Sequence, residues 1–315
     1  MIDVVALGEL LIDFAAKSTD AAGYPTMAAN PGGAPGNFLA ALNAYGRKTA
    51  FLGKVGNDAF GHLLLGTLNA AGIVTKGIVV DDSVFTTLAF VTFDKSGDRS
   101  FSFARKPGAD TQLSWEEIDK SLIDEARVFH FGTLSLTDEP VRTATQKAVA
   151  YAKEHGKLIT CDPNLRLPLW KTQEAAKEQM LWSLHQADVV KISDNEVEFL
   201  WGCTPEAGAE KLLTEFGVGL AMVTLGPDGC LLKTKNASFR AACPKVHPID
   251  TTGAGDIFGG SAVSRLLELE KPIDALTEAD LAYIGCFAAT AASLSTEASG
   301  GIPSIPEKEA VLNAM

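Results

Sequence analysis

The seven residues Asp250-Thr251-Thr252-Gly253-Ala254-Gly255-Asp256 combine types that bind an anion with one that can move a proton. They run straight into Ile257-Phe258-Gly259-Gly260-Ser261-Ala262-Val263, a stretch of small and apolar residues. The residues before the glycines read as a strand end or loop, and those after them read as a helix with a closely packed face. Gly253 to Asp256 are therefore expected to form its first turn. A helix start presents unpaired N–H groups and the positive end of the backbone dipole, and glycines there let an anion such as phosphate approach without a Cβ in the way. A carboxylate among those amides would repel the anion unless it has a task of its own, and removal of a proton is such a task. The alternative is a plain cap, since Asp is favoured at helix starts and Gly-Ala-Gly is an ordinary turn. The seven residues alone leave both readings open. Two other phosphate motifs are absent: there is no G-x-x-x-x-G-K-[ST], and Phe258 stands where a third dinucleotide-loop glycine would be.

D-T-T-G-A-G-D-I-F-G-G resembles the C-terminal signature of the ribokinase/PfkB carbohydrate kinases. Two N-terminal stretches, Asn30-Pro31-Gly32-Gly33-Ala34-Pro35-Gly36-Asn37 and Gly53-Lys54-Val55-Gly56-Asn57-Asp58-Ala59-Phe60-Gly61, resemble the first signature of the same family. The likeness runs from Val4 to Pro306. F-x-F-x-R-x-P-x-A-D, ending at Asp110, and D-P-N-L-R-L-P-L-W, beginning at Asp162, resemble fructokinases in particular.

The rest of the chain must position these groups. Val4–Gly8 reads as a buried strand, Thr49–Lys54 as another, and Pro35–Tyr45 and Phe60–Ala71 as helices. Pro35 suits an early helical position because its missing N–H has no helical partner there. Between Ile78 and Phe103 the residues turn β-branched and aromatic, and Ser96-Gly97 separates Leu88–Asp94 from Arg99–Phe103 as a hairpin would. Leu88, Phe90 and Thr92 with Phe101 and Phe103 are expected to form one apolar face. From Ser114 strands and helices alternate: a helix capped by Ser114 and Glu117, a strand over Arg127–Phe131, a helix over Glu139–His155, and strands over Lys157–Asp162, Val189–Ile192 and Leu220–Thr224. Helices after Asp256 and over Ala279–Ser295 close the chain. The expected fold is α/β, a predominantly parallel sheet with helices on both faces, ribokinase-like, plus a small β-sheet lid formed by about residues 14–30 and 78–105.

Composition bounds the function. The chain has 315 residues, 46% of them hydrophobic, enough for one large core. Its formal net charge of −12 and pI near 4.9 oppose binding to nucleic acid or anionic membrane. Five scattered cysteines without a C-x-x-C pair, and five scattered histidines, form neither a disulfide frame nor a zinc site. No apolar run approaches membrane-spanning length, and the expected location is the cytoplasm.

Asp13 lies among apolar neighbours in Leu10-Leu11-Ile12-Asp13-Phe14, where a charge must be liganded or turn to solvent. The family resemblance implies that it accepts hydrogen bonds from sugar hydroxyls, with Gly32, Gly33 and Asn37 beside the sugar. Arg105 is either a fork for the sugar or a solvated hinge charge. Asp162, Asn164 and Arg166 follow a strand end, where open parallel sheets place their sites. Lys191, Ser193 and Glu196 are assigned to the nucleotide side, with Glu196 holding a Mg²⁺-linked water by the resemblance; a Ser193/Glu196 capping box is the alternative. Thr224, Gly226 and Gly229 either meet ATP phosphates or form a plain hairpin turn. Asp250 and Thr252 are candidates for a monovalent cation, K⁺. The resemblance implies ATP-dependent phosphorylation of a sugar primary hydroxyl, fructose first, with Asp256 as base, the amides of Gly253, Ala254, Gly255 and Asp256 around the transferring phosphoryl, and Mg²⁺ on the phosphates. Kinases of 2-keto-3-deoxygluconate or ribose, or a silent sugar-binding regulator, are the alternatives. A homodimer through the lids is expected.

Overall fold

Val4-Val5-Ala6-Leu7 is apolar without alternation because each neighbour faces a different buried layer. Val5 and Leu7 join the core on one side of the sheet, and Val4 and Ala6 join the core on the other. The same split separates Val190 and Ile192 from Val189, and Ala221 and Val223 from Leu220 and Met222. A central parallel strand covered by helices on both faces reads this way. In the computed structural model, which describes residues 1–93 and 99–315, the strands are β1 (Ile2–Leu7), β2 (Leu11–Thr19), β3 (Pro25–Gly32), β4 (Thr49–Gly56), β5 (Val74–Asp81), β6 (Thr87–Phe93), β7 (Arg99–Ala104), β8 (Ala126–Gly132), β9 (Leu158–Asp162), β10 (Val189–Ser193), β11 (Leu220–Thr224), β12 (Cys230–Lys233) and β13 (Ser238–Ala241). The helices are α1 (Ala34–Ala44), α2 (Ala59–Ala70), α3 (Lys120–Glu125), α4 (Val141–Glu154), α5 (Gln173–Gln186), α6 (Asp194–Trp201), α7 (Pro205–Thr214), α8 (Ala254–Leu269), α9 (Glu278–Ser295) and α10 (Lys308–Ala314).

The main sheet has nine strands in the order β13-β12-β11-β10-β9-β8-β1-β4-β5. It is parallel from β11 to β5, and β12 and β13 add an antiparallel edge. The second sheet, β3-β2-β6-β7, is the lid. Val74–Asp81 pairs with β4 in the main sheet, so residues 78–81 are not part of the lid as expected; it takes its second segment from Thr87 onward. The expected Ser96-Gly97 turn lies outside the described residues.

Register also corrects the expected lid face. Ala89 pairs with Phe103, and Val91 with Phe101, so Leu88 and Phe90 point away from Phe103. The cleft side of the lid carries Asp13, Ala15, Val91 and Phe103. On the other side Phe14 stacks on Phe90 at 5.3 Å and meets Phe60 of α2 edge-on at 5.5 Å. That face is partly covered by the chain itself.

Two further expectations needed correction. The Ser114/Glu117 capping box exists, but it closes a single 3₁₀ turn, Trp115–Glu117, and α3 beyond it is capped by Asp119. Nor does Ser295 end the last helix, because α10 comes after it.

The feature that sets the site is the approach of α1 to α8. A Cβ on Gly260 would strike the carbonyl oxygen of Phe38, so only a glycine allows the two helices to pack this closely. Their first turns are thereby held side by side.

Candidate active site

Between the lid and the carboxyl ends of the main-sheet strands lies a cleft of about 540 Å³. It receives Asp13 from β2, Asn30 from β3, Asn37 from α1, Asn164 and Arg166 from the loop after β9, Asp250 to Gly253 with Asp256, and the Ser299-Gly300-Gly301 loop. This is the position expected for an open parallel sheet.

Asp256 sits in the first turn of α8, which begins at Gly253 with φ +77°, a left-handed conformation that a side chain would oppose. A Cβ on Gly253 would also lie 2.9 Å from the Cα of Gly301. The Asp256 carboxylate accepts a 2.8 Å hydrogen bond from Asn37 Nδ2. Burial raises its pKa, while Asn37, Lys191 and Arg166 lower it and Asp13 raises it further. Among the described residues, the N–H groups of Gly253, Gly255 and Asp256 have no acceptor within the chain. Free amides and a half-buried carboxylate at one helix start can cradle an anion and take up a proton. A simple cap does not describe Asp256, because its side chain bonds Asn37 and not the amides of its own turn.

Asp13 stands opposite, pushed up to about 6 by burial, with Arg166 opposing that shift and Asp250 adding to it. Its carboxylate lies against Gly32, where a Cβ would collide with it. Gly33 and Asn37 line the same wall. Asn164 adopts φ +47° just after Asp162, whose Oδ1 accepts from the Asn164 N–H at 3.1 Å. Arg166 is exposed at the rim and faces the cleft.

Other predicted residues lie outside the cleft or are engaged within the fold. Arg105 is neither a sugar fork nor a solvated charge: its side chain is 3% exposed and its nitrogens are engaged. Nε and Nη2 reach Asp110 Oδ2 at 2.8 and 2.7 Å, Nη1 donates to Thr137 Oγ1 at 2.8 Å, and Nη2 donates to the Leu134 carbonyl at 2.9 Å. Lys191 is buried under the first turn of α8 and not in the large cleft, with Nζ 3.0 Å from Asp162 Oδ2. Ser193 and Glu196 form the capping box of α6, and Glu196 Oε1 also accepts from the Leu165 N–H at 2.7 Å. Thr224, Gly226 and Gly229 belong to the antiparallel turn from β11 to β12. Asp250 holds its own loop, accepting from the Thr252 N–H and hydroxyl and from the Gly300 N–H.

Sequence reasoning missed Glu9 and the Ser299–Gly301 loop. Glu9 is 3% exposed, lines the cleft, accepts from the Ala34 N–H at 2.9 Å, and is pushed up to about 7 chiefly by burial. Its signal was akin to the one that exposed Asp13: a carboxylate set beside a run of apolar residues, here Leu10-Leu11-Ile12. The 299–301 loop had no signal beyond its glycines.

Comparison with known proteins agrees with this geometry. Residues 1–308 match the model of the pfkB family carbohydrate kinases. The chain is 39% identical over 315 residues to fructokinase-2 of Solanum lycopersicum, covering 99% of this chain and 95% of that protein. It is 40% identical to fructokinase-1 of Zea mays, covering 98% and 96%. Among solved structures, fructokinase with bound ATP from Xylella fastidiosa superposes with a TM-score of 0.90 at 29% identity, covering 99% and 97%. A fructokinase double mutant from Vibrio cholerae, in a form with fructose, ADP and potassium ion bound, gives 0.87 at 30% identity, covering 99% and 98%. With two signatures in place, a cleft between sheet and lid, and these likenesses along nearly its whole length, the chain belongs to the pfkB family of carbohydrate kinases.

Proposed function

We propose that this chain is a fructokinase that transfers the γ-phosphoryl group of ATP to the O6 hydroxyl of D-fructose. The observation that carries this reading is the half-buried Asp256 carboxylate, oriented by Asn37 amid the free amides of the α8 start and opening on a cleft shared with Asp13. Asp13 accepts hydrogen bonds from sugar hydroxyls and fixes the ring. Asp256 takes the proton as the O6–H bond breaks and the O6–Pγ bond forms, and the Pγ–O bond to the departing ADP breaks in the same displacement. The amides of Gly253, Gly255 and Asp256 stabilise the charge on the transferring oxygens, so catalysis is positioning plus electrostatics.

Among the described residues no group of side chains forms a metal cage. Mg²⁺ would be carried on the ATP phosphates with water ligands, the usual mode for this ion. Bound there, Mg²⁺ neutralises phosphate charge. The four carboxylates Glu9, Asp13, Asp250 and Asp256 outnumber Arg166 and Lys17 around the cleft. This balance supports a neutral sugar over a sugar acid such as 2-keto-3-deoxygluconate.

No helix among the described residues is long and apolar enough to cross a membrane. A cytoplasmic location and pairing through the lids complete the proposal, although a relative from Arabidopsis thaliana is named a chloroplastic fructokinase. Asp256→Asn keeps the shape and removes the base. It is expected to lower kcat by about 10²–10⁴ with fructose affinity nearly unchanged, and near-normal turnover would refute the assignment.

A further inference from the structure

A second, smaller cavity of about 20 Å³ lies behind Asp256, lined in part by Gly259 on the α8 side and by His130, Asp162 and Lys191 on the sheet side. Lys191 and Asp162 are an ion pair whose side chains are each 10% exposed. Burying two charges costs several kcal/mol per ion before their attraction is counted, so such a pair is weak evidence for stability. Its location needs another explanation. We propose that Lys191, braced by Asp162, is a positioning residue for phosphoryl transfer, its ammonium supporting the first turn of α8 from beneath and keeping Asp256 ionised.

Three observations support this. A Cβ on Gly255 would lie 2.9 Å from Lys191 Nζ, so the ammonium occupies the space that the missing side chain leaves under the anion-binding turn. Asp162 is the one hydrogen-bond partner of Nζ among the described residues, which leaves its other N–H groups free. The charges around the base also need Lys191. Burial is the largest influence on Asp256 and disfavours its anion; Asn37 from α1 donates to it, Lys191 from β10 and Arg166 from the loop after β9 favour the anion, and Asp13 from β2 opposes it. Arg166 is exposed and screened by solvent, so Lys191 is the only buried cation of this set. Burial acts against the charge on Lys191, but Asp162, Glu196 and Asp256 together outweigh it and its pKa is raised. His130 from β8 is pushed down to about 3, by burial first and Lys191 second, and adds no charge.

This inference rests on Asp256 being the base, and the test separates the two. The pH profile of kcat/KM for fructose would be measured for the wild type, for Lys191→Met/Asp162→Asn, which removes both charges at similar volume, and for Gly255→Ala, which crowds Nζ with one methyl. The acidic limb is expected to move up by about one pH unit or more in the double variant, the size of effect a nearby opposite charge exerts. Gly255→Ala is expected to move the limb the same way by less, with fructose KM within about threefold of wild type in both. A lower plateau with an unmoved limb in both variants would show a purely structural role and overturn the proposal. If the double variant does not fold, an unmoved limb in Gly255→Ala overturns it alone. Asp256→Asn with normal turnover defeats the underlying assignment; an inactive Asp256→Asn beside unmoved limbs defeats only the role of Lys191.

Discussion

Asp13→Asn should make the protein more stable and a poorer enzyme, and the gain in stability should depend on pH. Burial lifts the Asp13 carboxyl from 3.8 to about 6, so holding it ionised in the folded state carries a cost above that pH. A shift of about two units corresponds to roughly 2–3 kcal/mol, at about 1.4 kcal/mol per unit. The sign is set by the raised value. Well below pH 3.8 the group is protonated in both folded and unfolded chains and costs nothing. As pH rises through 4 to 6 the unfolded chain releases its proton first, and stability falls until the folded group has also ionised. Asn, neutral throughout and of the same shape, removes this loss. At pH 8 the variant should gain roughly 2–3 kcal/mol, or about 4 °C in Tm for a chain of this length, with little gain near pH 3.5–4. Fructose binding should weaken by about 1.5–3 kcal/mol, the worth of a hydrogen bond to a charged group. Thermal unfolding at the two pH values, with calorimetry of fructose binding, tests both halves. A stability change of equal size at pH 4 and pH 8 would refute the reasoning, because it could not come from the ionisation of Asp13. Unchanged fructose affinity would remove Asp13 from the site.

Arg105→Lys keeps the charge but loses the fork to Asp110, Thr137 and Leu134, and should cost roughly 1–3 kcal/mol of stability; urea unfolding measures it, and intact stability with raised fructose KM would return Arg105 to the sugar. Gly301→Ala would drive a Cβ into Asn37 and turn its amide from Asp256, so kcat should fall at least about tenfold with ATP affinity little changed; wild-type kcat would show that Asn37 does not orient the base. Exposed Tyr24 and Phe85 lie near the lid, at 69% and 56% exposure, and support pairing of two chains. Light scattering showing a monomer at micromolar concentration ends that idea.

The main sheet was legible because a strand covered on both faces has no polar alternation, and the largely apolar runs at Val4, Thr49 and Val189 announce it. The lid was legible in composition but not in boundary or face. Ile78, Val79 and Val80 have the same β-branched character whether they lie on the edge of the main sheet or in the lid, and only pairing with β4 decides between them. The apolar face failed for a related reason: Phe103 opposes Ala89, a cross-strand register that period-two counting in each strand cannot reveal.

The site shows where local pattern stops informing. Asp13 and Asp256 could be found because a carboxylate among apolar residues or free amides is anomalous on one-dimensional grounds. Arg105 shows the same anomaly, yet its partner is Asp110, five residues away and brought against it by the turn between them, so the charge is consumed inside the protein. Lys191 is the harder case. In the sequence it is a cation near a capping box, but in the fold strand pairing carries it beside Asp162 and beneath Gly255, both distant in the chain. Whether a buried charge serves a ligand, the fold or another side chain is decided by what remains unpaired once the fold has closed. Among the described residues at the start of α8, the amides of Gly253, Gly255 and Asp256 stay unpaired, and Gly253 and Asp256 line the cleft.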